Sequence, residues 1–270
     1  MKLPNLIVAG AQKSGTTGLF QLLSLHPDIF MAEDKELSFF IGKDTVSDEQ
    51  LAAYAENFKN AGNQRYIGEA TPGYFWARDP SNIYSPKNIL WNIPELIAGT
   101  LGNDMRIILS LRNPVDRAIS AYHHHYMRGR IPEGQSPLDT DSNWGIIDLG
   151  FYKRHYLQWE AIFPKENLIT TLYDDMVADT RAYFGGVCER LELDFDPDGP
   201  SYKNYKFKKP VHSKASSQKS FNVDTLPPIP EEPICALVDI YSEDIGFCED
   251  LMQRDLSHWR DVDAIIALNS

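Results

Sequence analysis

Cysteine is scarce: the 270 residues hold three, Cys188, Cys235 and Cys248. An odd count without metal-ligand spacing excludes a disulfide scaffold and a zinc ribbon and fits reduced thiols, with Cys235–Cys248 the one pairing left open. Positive charge is also short, with 26 Lys and Arg against 38 Asp and Glu and a net charge of −12. That balance excludes a general nucleic-acid surface. No apolar run approaches the ~20 residues that cross a bilayer, and no signal-peptide h-region precedes the first strand-like run, so the expected location is cytoplasmic. Low-complexity tracts and internal repeats are absent. With 43% hydrophobic residues, the chain can bury a proper core, and residues 1–270 are expected to form a single α/β domain.

What is present begins with Leu6-Ile7-Val8-Ala9-Gly10-Ala11-Gln12-Lys13-Ser14-Gly15-Thr16-Thr17. An apolar run ending in a turn of Gly, Lys, Ser and Thr describes a strand, a phosphate-cradling loop and a helix. Backbone N–H groups converge there on one anion, the helix adds its positive end and the lysine a full charge. Gln12, Lys13, Ser14, Gly15, Thr16 and Thr17 are the candidate ligand residues. The order departs from the G-x-x-x-x-G-K-S/T loop of nucleoside triphosphatases, because Lys13 precedes Gly15. The Mg²⁺-binding Asp expected at the end of a second buried strand is also missing, since 105–111 runs into Arg112. A cation in that place implies a second phosphate bound directly by protein.

Arg112-Asn113-Pro114-Val115-Asp116 reads as a helix start, with Asn113 as N-cap and Pro114 at the first helical position. Ser120 then falls about two turns into that helix. Together, the Lys13–Thr17 loop and the Arg112 and Ser120 pair strongly resemble the sulfotransferases that use 3′-phosphoadenosine 5′-phosphosulfate (PAPS) as donor and release 3′-phosphoadenosine 5′-phosphate (PAP). The resemblance gives the first loop the 5′-phosphosulfate and Arg112 with Ser120 the 3′-phosphate. It lies nearest the heparan-type and bacterial branch. Lys35-Glu36-Leu37-Ser38-Phe39-Phe40 is similar to that branch's K-E-x-H-F-F segment, whose glutamate is the general base. Gly68-Glu69-Ala70-Thr71-Pro72-Gly73-Tyr74-Phe75 resembles its E-K-S/T-P-x-Y-F element, and Arg254–Trp259 a common bacterial ending.

By that resemblance Lys13 and Glu36 are the catalytic pair. In-line transfer leaves the protein to position groups and stabilise charge: Lys13 at the departing phosphate oxygen, Glu36 taking the acceptor hydroxyl's proton, with no metal required. The acceptor is a small molecule or glycan hydroxyl on a carbohydrate, lipid or secondary metabolite. Two departures, Ser38 for the histidine and Ala70 for the lysine, argue against a highly anionic polysaccharide. The alternatives are a P-loop kinase or hydrolase, and a catalytically silent nucleotide-binding protein.

Other residues admit two readings. Glu36 is either the base or a solvated charge among Glu33, Asp34 and Lys35. Tyr74 and Phe75 either stack on a substrate sugar or fill the core. His123-His124-His125 cannot converge on a metal, because consecutive helical residues point about 100° apart; one or two of them, with His124 the chosen candidate, would face the acceptor and the rest solvent. A basic segment without acidic residues, 202–222, carries Lys203, Lys206, Lys208, Lys209, Lys214 and Lys219. It is either a solvated loop or, as the family implies for Lys208, Lys209 and Lys214, a cover for the donor's 3′-phosphate.

Buried strands are expected at 5–9, 66–69, 105–111 and 167–172, and helices near 15–25, 85–99, 114–128, 150–162, 174–191, 233–241 and 245–254, with C-terminal helical structure over about 233–265. The segment 129–145 reads as a surface loop. The alternation predicts a three-layer α/β/α architecture with a mainly parallel central sheet and ligands at the carboxyl ends of its strands.

Overall fold

The computed structural model describes residues 1–77, 79, 81–86, 92–203, 205 and 226–269. The chain forms two compact units, one of Met1–Ala77, Leu90–Leu111 and Leu157–Val211, the other of Arg78–Ile89, Arg112–Tyr156 and His212–Ser270.

The first unit is built on β1 (Leu6–Gly10), β2 (Ile29–Met31), β3 (Tyr66–Ala70), β4 (Arg106–Leu111) and β5 (Leu168–Leu172), in the order β2-β3-β1-β4-β5. Every pairing is parallel, so successive carboxyl ends emerge at one edge. Val8 opposes Ala70 of β3 on one side and Ile108 of β4 on the other. Leu6 and Val8 meet Leu19, Leu22 and Leu23 of α1 (Thr16–Leu25) and Phe184 and Val187 of α7 (Thr180–Arg190) in one apolar cluster. The alternate residues Ile7, Ala9, Ile107 and Leu109 are equally inaccessible. Burial on both faces is what a parallel sheet inside an α/β/α fold requires.

The strands at 5–9, 66–69, 105–111 and 167–172 all form, within a residue or two. β2 was not expected, because three residues are too few to display a period. α2 (Asp48–Ala55) lies outside the helices expected, although Ser47 and Gln50 make a capping box in which each side chain accepts from the other's backbone N–H. The helix expected over 85–99 is shorter: 81–86 is turn and bend, and α3 runs Ile93–Leu101. Pro94 fits only because it falls in the first turn, where its missing N–H has no partner to lose. The helix expected over 174–191 is two, α6 (Tyr173–Ala178) and α7. Asp179 breaks it, adopting an extended backbone and accepting from the N–H groups of Arg181 and Ala182.

In the second unit α4 (Pro114–Met127) starts as read, with the Asn113 side chain accepting from Val115 N–H at 3.0 Å. α5 (Tyr152–Glu160) begins in this unit, and α8 (Glu231–Ile240), α9 (Ser242–Met252) and α10 (Val262–Asn269) follow among its described residues; α10 extends past the helical region expected. Three consecutive carbonyls leading into a 3-10 turn at Asp148–Gly150 are held by side chains: Ile146 accepts from Arg117, Ile147 from Tyr241 at 2.7 Å and Asp148 from His155 at 2.8 Å. All three cysteines are free, so the Cys235–Cys248 pairing is not formed. Among the described residues no helix is long and apolar enough to cross a membrane.

Burial, with the Arg154 charge beside it, pushes the His155 imidazole down to about 3. Its folded pKa lies below the ordinary 6.5, so the unfolded chain binds the proton first and stability drains away as pH falls from 6.5 toward 3. Urea denaturation across that window should show a loss approaching roughly 1.4 kcal/mol per pH unit from this group, and His155→Gln should flatten the profile by that amount.

Candidate phosphate-binding site and active centre

Gly10, the last residue of β1, lies so close to Phe75 that an added Cβ would come within 2.4 Å of the Phe75 Cβ. The chain then turns, Ala11 N–H donating to the Ser110 carbonyl at 2.8 Å and Ser110 Oγ donating to the Ser14 carbonyl at 2.6 Å. β4 thus holds the loop from beneath. Lys13 and Gly15 both have left-handed backbones, at φ 69° and 81°. Left-handed residues separated by one residue curl the backbone into an anion-binding concavity. Gly15 is also the N-cap of α1, with no capping side-chain bond and no acidic residue in the first turn, so the positive helix end is left for a ligand.

The Ser14 hydroxyl is wholly buried, and neither it nor the buried Gln12 Oε1 has a hydrogen-bond partner among the described residues. A buried donor without a partner is costly, and an anionic oxygen would satisfy it. Lys13 is half-buried, Thr16 buried and Thr17 exposed. These residues fit a phosphate-bearing group.

Glu36 follows β2 and is strung along the end of β3: Ala32 N–H donates to the Gly68 carbonyl at 2.9 Å and Glu36 N–H to the Ala70 carbonyl at 2.8 Å. The Glu36 segment and the loop therefore lie at the same end of adjacent strands. Glu36 has a left-handed backbone (φ 67°), and its carboxylate, 59% exposed, pairs with Lys35 at 2.7 Å. With Glu36 on the exposed side of the pair, the ion pair holds it weakly and the carboxylate stays accessible.

Arg112, directly after β4, belongs to the second unit. It is buried, with its carbonyl accepting from Tyr152 Oη at 2.9 Å, and Asn113 Nδ2 donates to the Trp259 carbonyl at 3.1 Å. The turn carrying Arg112 is thereby anchored. Ser120 is half-buried on α4.

Tyr74 and Phe75 are completely buried, so they are core residues and offer no face to a sugar; Gly10 needs Phe75 where it is. His123 and His125 are buried rather than turned to solvent. His123 Nε2 donates to the Pro227 carbonyl at 3.0 Å, and His125 Nδ1 accepts from Arg130 at 3.2 Å, while His124 is half-exposed. Among the described residues no group of three or more His, Cys, Asp or Glu is placed to hold a metal. Lys203 is exposed; Lys206, Lys208, Lys209, Lys214 and Lys219 lie outside the described residues.

The Gly68–Phe75 stretch also holds an ionisable residue whose place only the fold reveals. Glu69, on β3, is fully buried and accepts from the hydroxyls of Tyr54, of Thr71 at 2.7 Å and of Tyr74 at 3.1 Å. Burial pushes its carboxyl above the ordinary carboxylate range, against the three hydroxyls that hold the charge. The signal lies in the sequence: the one carboxylate in the strand Tyr66-Ile67-Gly68-Glu69-Ala70 needs buried partners.

Residues 3–223 match the family described as "Sulfotransferase domain". The human heparan sulfate glucosamine 3-O-sulfotransferase 3B1 is 28% identical over 200 residues, covering 71% of this chain and 47% of that protein. The membrane-associated sulfotransferase kil1 of Dictyostelium discoideum is 39% identical over 121 residues, 45% of this chain and 23% of that protein. The chain thus spans about half the length, or less, of these curated relatives. The crystal structure of a sulfotransferase from Alicyclobacillus acidocaldarius superposes with a TM-score of 0.67 at 23% identity, covering 96% of this chain and all of that one, a likeness of fold.

Gly15→Ala would place a Cβ 2.6 Å from the Tyr173 ring at a left-handed φ of 81°. We expect this variant to lose inorganic pyrophosphate binding by calorimetry while keeping its far-UV circular dichroism; unchanged binding would exclude the loop as the anion site.

Proposed function

The chain belongs to the sulfotransferase domain family, and on that premise we propose that it moves a sulfuryl group from PAPS to a hydroxyl acceptor. The observation that carries this reading is the loop itself: a buried Ser14 hydroxyl without a partner, beside left-handed Lys13 and Gly15, at the uncapped start of α1. Gln12, Lys13, Ser14, Gly15, Thr16 and Thr17 would take the 5′-phosphosulfate, and Arg112 with Ser120 the 3′-phosphate. Lys208, Lys209 and Lys214 are proposed as further partners of the 3′-phosphate.

The donor supplies an activated sulfuryl group on a phosphate leaving group. Lys13 neutralises the charge that gathers on the departing phosphate oxygen, and Glu36 accepts the proton of the attacking hydroxyl. The scheme requires no metal. The acceptor is proposed to be a carbohydrate, lipid or secondary-metabolite alcohol of low negative charge. Ser38 and Ala70 stand where the heparan-type motifs have a histidine and a lysine, and the net charge of −12 disfavours a polyanion.

Calorimetric titration with PAP, against ATP plus Mg²⁺, is the direct test. PAP should bind at micromolar or better and ATP more weakly, with Arg112→Ala erasing the preference; ATP binding the tighter, or neither binding, sinks the proposal. Glu36→Gln should cut transfer of radiolabelled sulfuryl to a panel of simple alcohols by ~10²–10⁴-fold and leave PAP affinity unchanged.

A further inference from the structure

We propose that Glu69 is a positioning residue whose carboxylate, through the hydroxyls of Thr71, Tyr74 and Tyr54, sets the backbone segment that presents Glu36. The inference rests on Glu36 acting as the base. Glu69 Oε2 accepts from Thr71 Oγ1 at 2.7 Å, and Thr71 Oγ1 in turn accepts from Ser38 N–H at 3.2 Å. Glu69 Oε1 accepts from Tyr74 Oη at 3.1 Å, and that oxygen accepts from Phe40 N–H at 3.4 Å. Tyr54 Oη donates to the same Oε1, while its ring stacks on Phe39 at 4.1 Å and meets Phe40 edge-on at 5.6 Å.

The direction of these bonds gives the carboxylate its role. The carboxyl oxygens accept in all three of these bonds, so the hydroxyl hydrogens of Thr71 and Tyr74 point toward Glu69 and their lone pairs face the amides of Ser38 and Phe40. Those two amides bracket the turn after Glu36, in which Glu36 and Ser38 both hold left-handed backbones, at φ 67° and 54°. Non-glycine residues keep such conformations only when their surroundings impose them. Glu69 itself has no access to an acceptor, being fully buried, so it acts through Glu36.

Hydrogen exchange on the full chain tests this, with Thr71→Val, which removes the hydroxyl, Thr71→Ser, which keeps it, and Glu69→Gln, which puts a donor where only an acceptor stood. The Ser38 and Phe40 amides should exchange roughly tenfold faster in Thr71→Val and Glu69→Gln, but not in Thr71→Ser, with β1 and β3 protection and PAP affinity unchanged. Equal exchange in all folded variants, or acceleration spread evenly through β1 and β3, overturns the proposal. Should Glu69→Gln fail to fold, the Thr71 pair decides alone. In the transfer assay Thr71→Val should lower kcat by about tenfold at constant donor KM and cost nothing further in a Glu36→Gln background; an equal loss in that background would refute the link to Glu36. Failure of the wild-type protein to bind PAP would count against the donor assignment, and the exchange pattern would still judge the Glu69 network.

Discussion

The parallel pairing of β1 between β3 and β4 is the constraint on which the site depends. It places the loop after Gly10, the turn after Ala70 and the end of β4 at one edge of the sheet. Polarity alone does not set the register, because β1 is apolar on both faces and a slip of one residue would still bury hydrophobic side chains. Small residues and one carboxylate set it. Gly10 admits Phe75, Gly68 leaves room for Met31 Sδ, which an added Cβ would approach to 2.7 Å, and Glu69 opposite Ile7 must reach its three hydroxyls.

Both units place costly polar groups in their interiors and spend them on irregular backbone. Glu69 in the first organises the chain that carries Glu36. In the second, Arg117, Tyr241 and His155 hold the carbonyls of residues 146–148, and Arg154 donates to the buried Asp148 carboxylate at 2.6 Å. Buried polar groups lower stability unless every partner is in place. Their reward is conformational: loops that neither helix nor sheet would fix acquire one geometry.

The legible parts of the molecule were those in which chemistry and chain order coincide. The Lys13–Thr17 loop, the Asn113–Pro114 helix start and four strands are local, each decided by residues within a turn or a strand of one another. Near the site, the departures from the sequence pattern have non-local causes. Tyr74 and Phe75 are aromatic residues in a motif beside the site, and only packing against Gly10 and Glu69 shows that they face inward. His123 and His125 sit on a helix whose buried side is chosen by the rest of its own unit. Asp179 could have continued a helix or capped one, and its extended backbone decided for the cap.

From the sequence alone came the class of fold, the strand-to-helix loop with its lysine ahead of the glycine, and the arginine where a magnesium ligand would stand. These follow from residue types at short spacing, because strand, loop and helix-cap geometry is set by near neighbours. Tertiary structure decided the left-handed turn that presents Glu36, the burial of Glu69 and the hydroxyl bonds that join the two. Residues 36 and 69 are separated by α2, a short 3-10 turn and their connections, and the segment after Glu36 reaches the hydroxyls on Glu69 only when β3 pairs with β1 and β2 and brings both to the same edge.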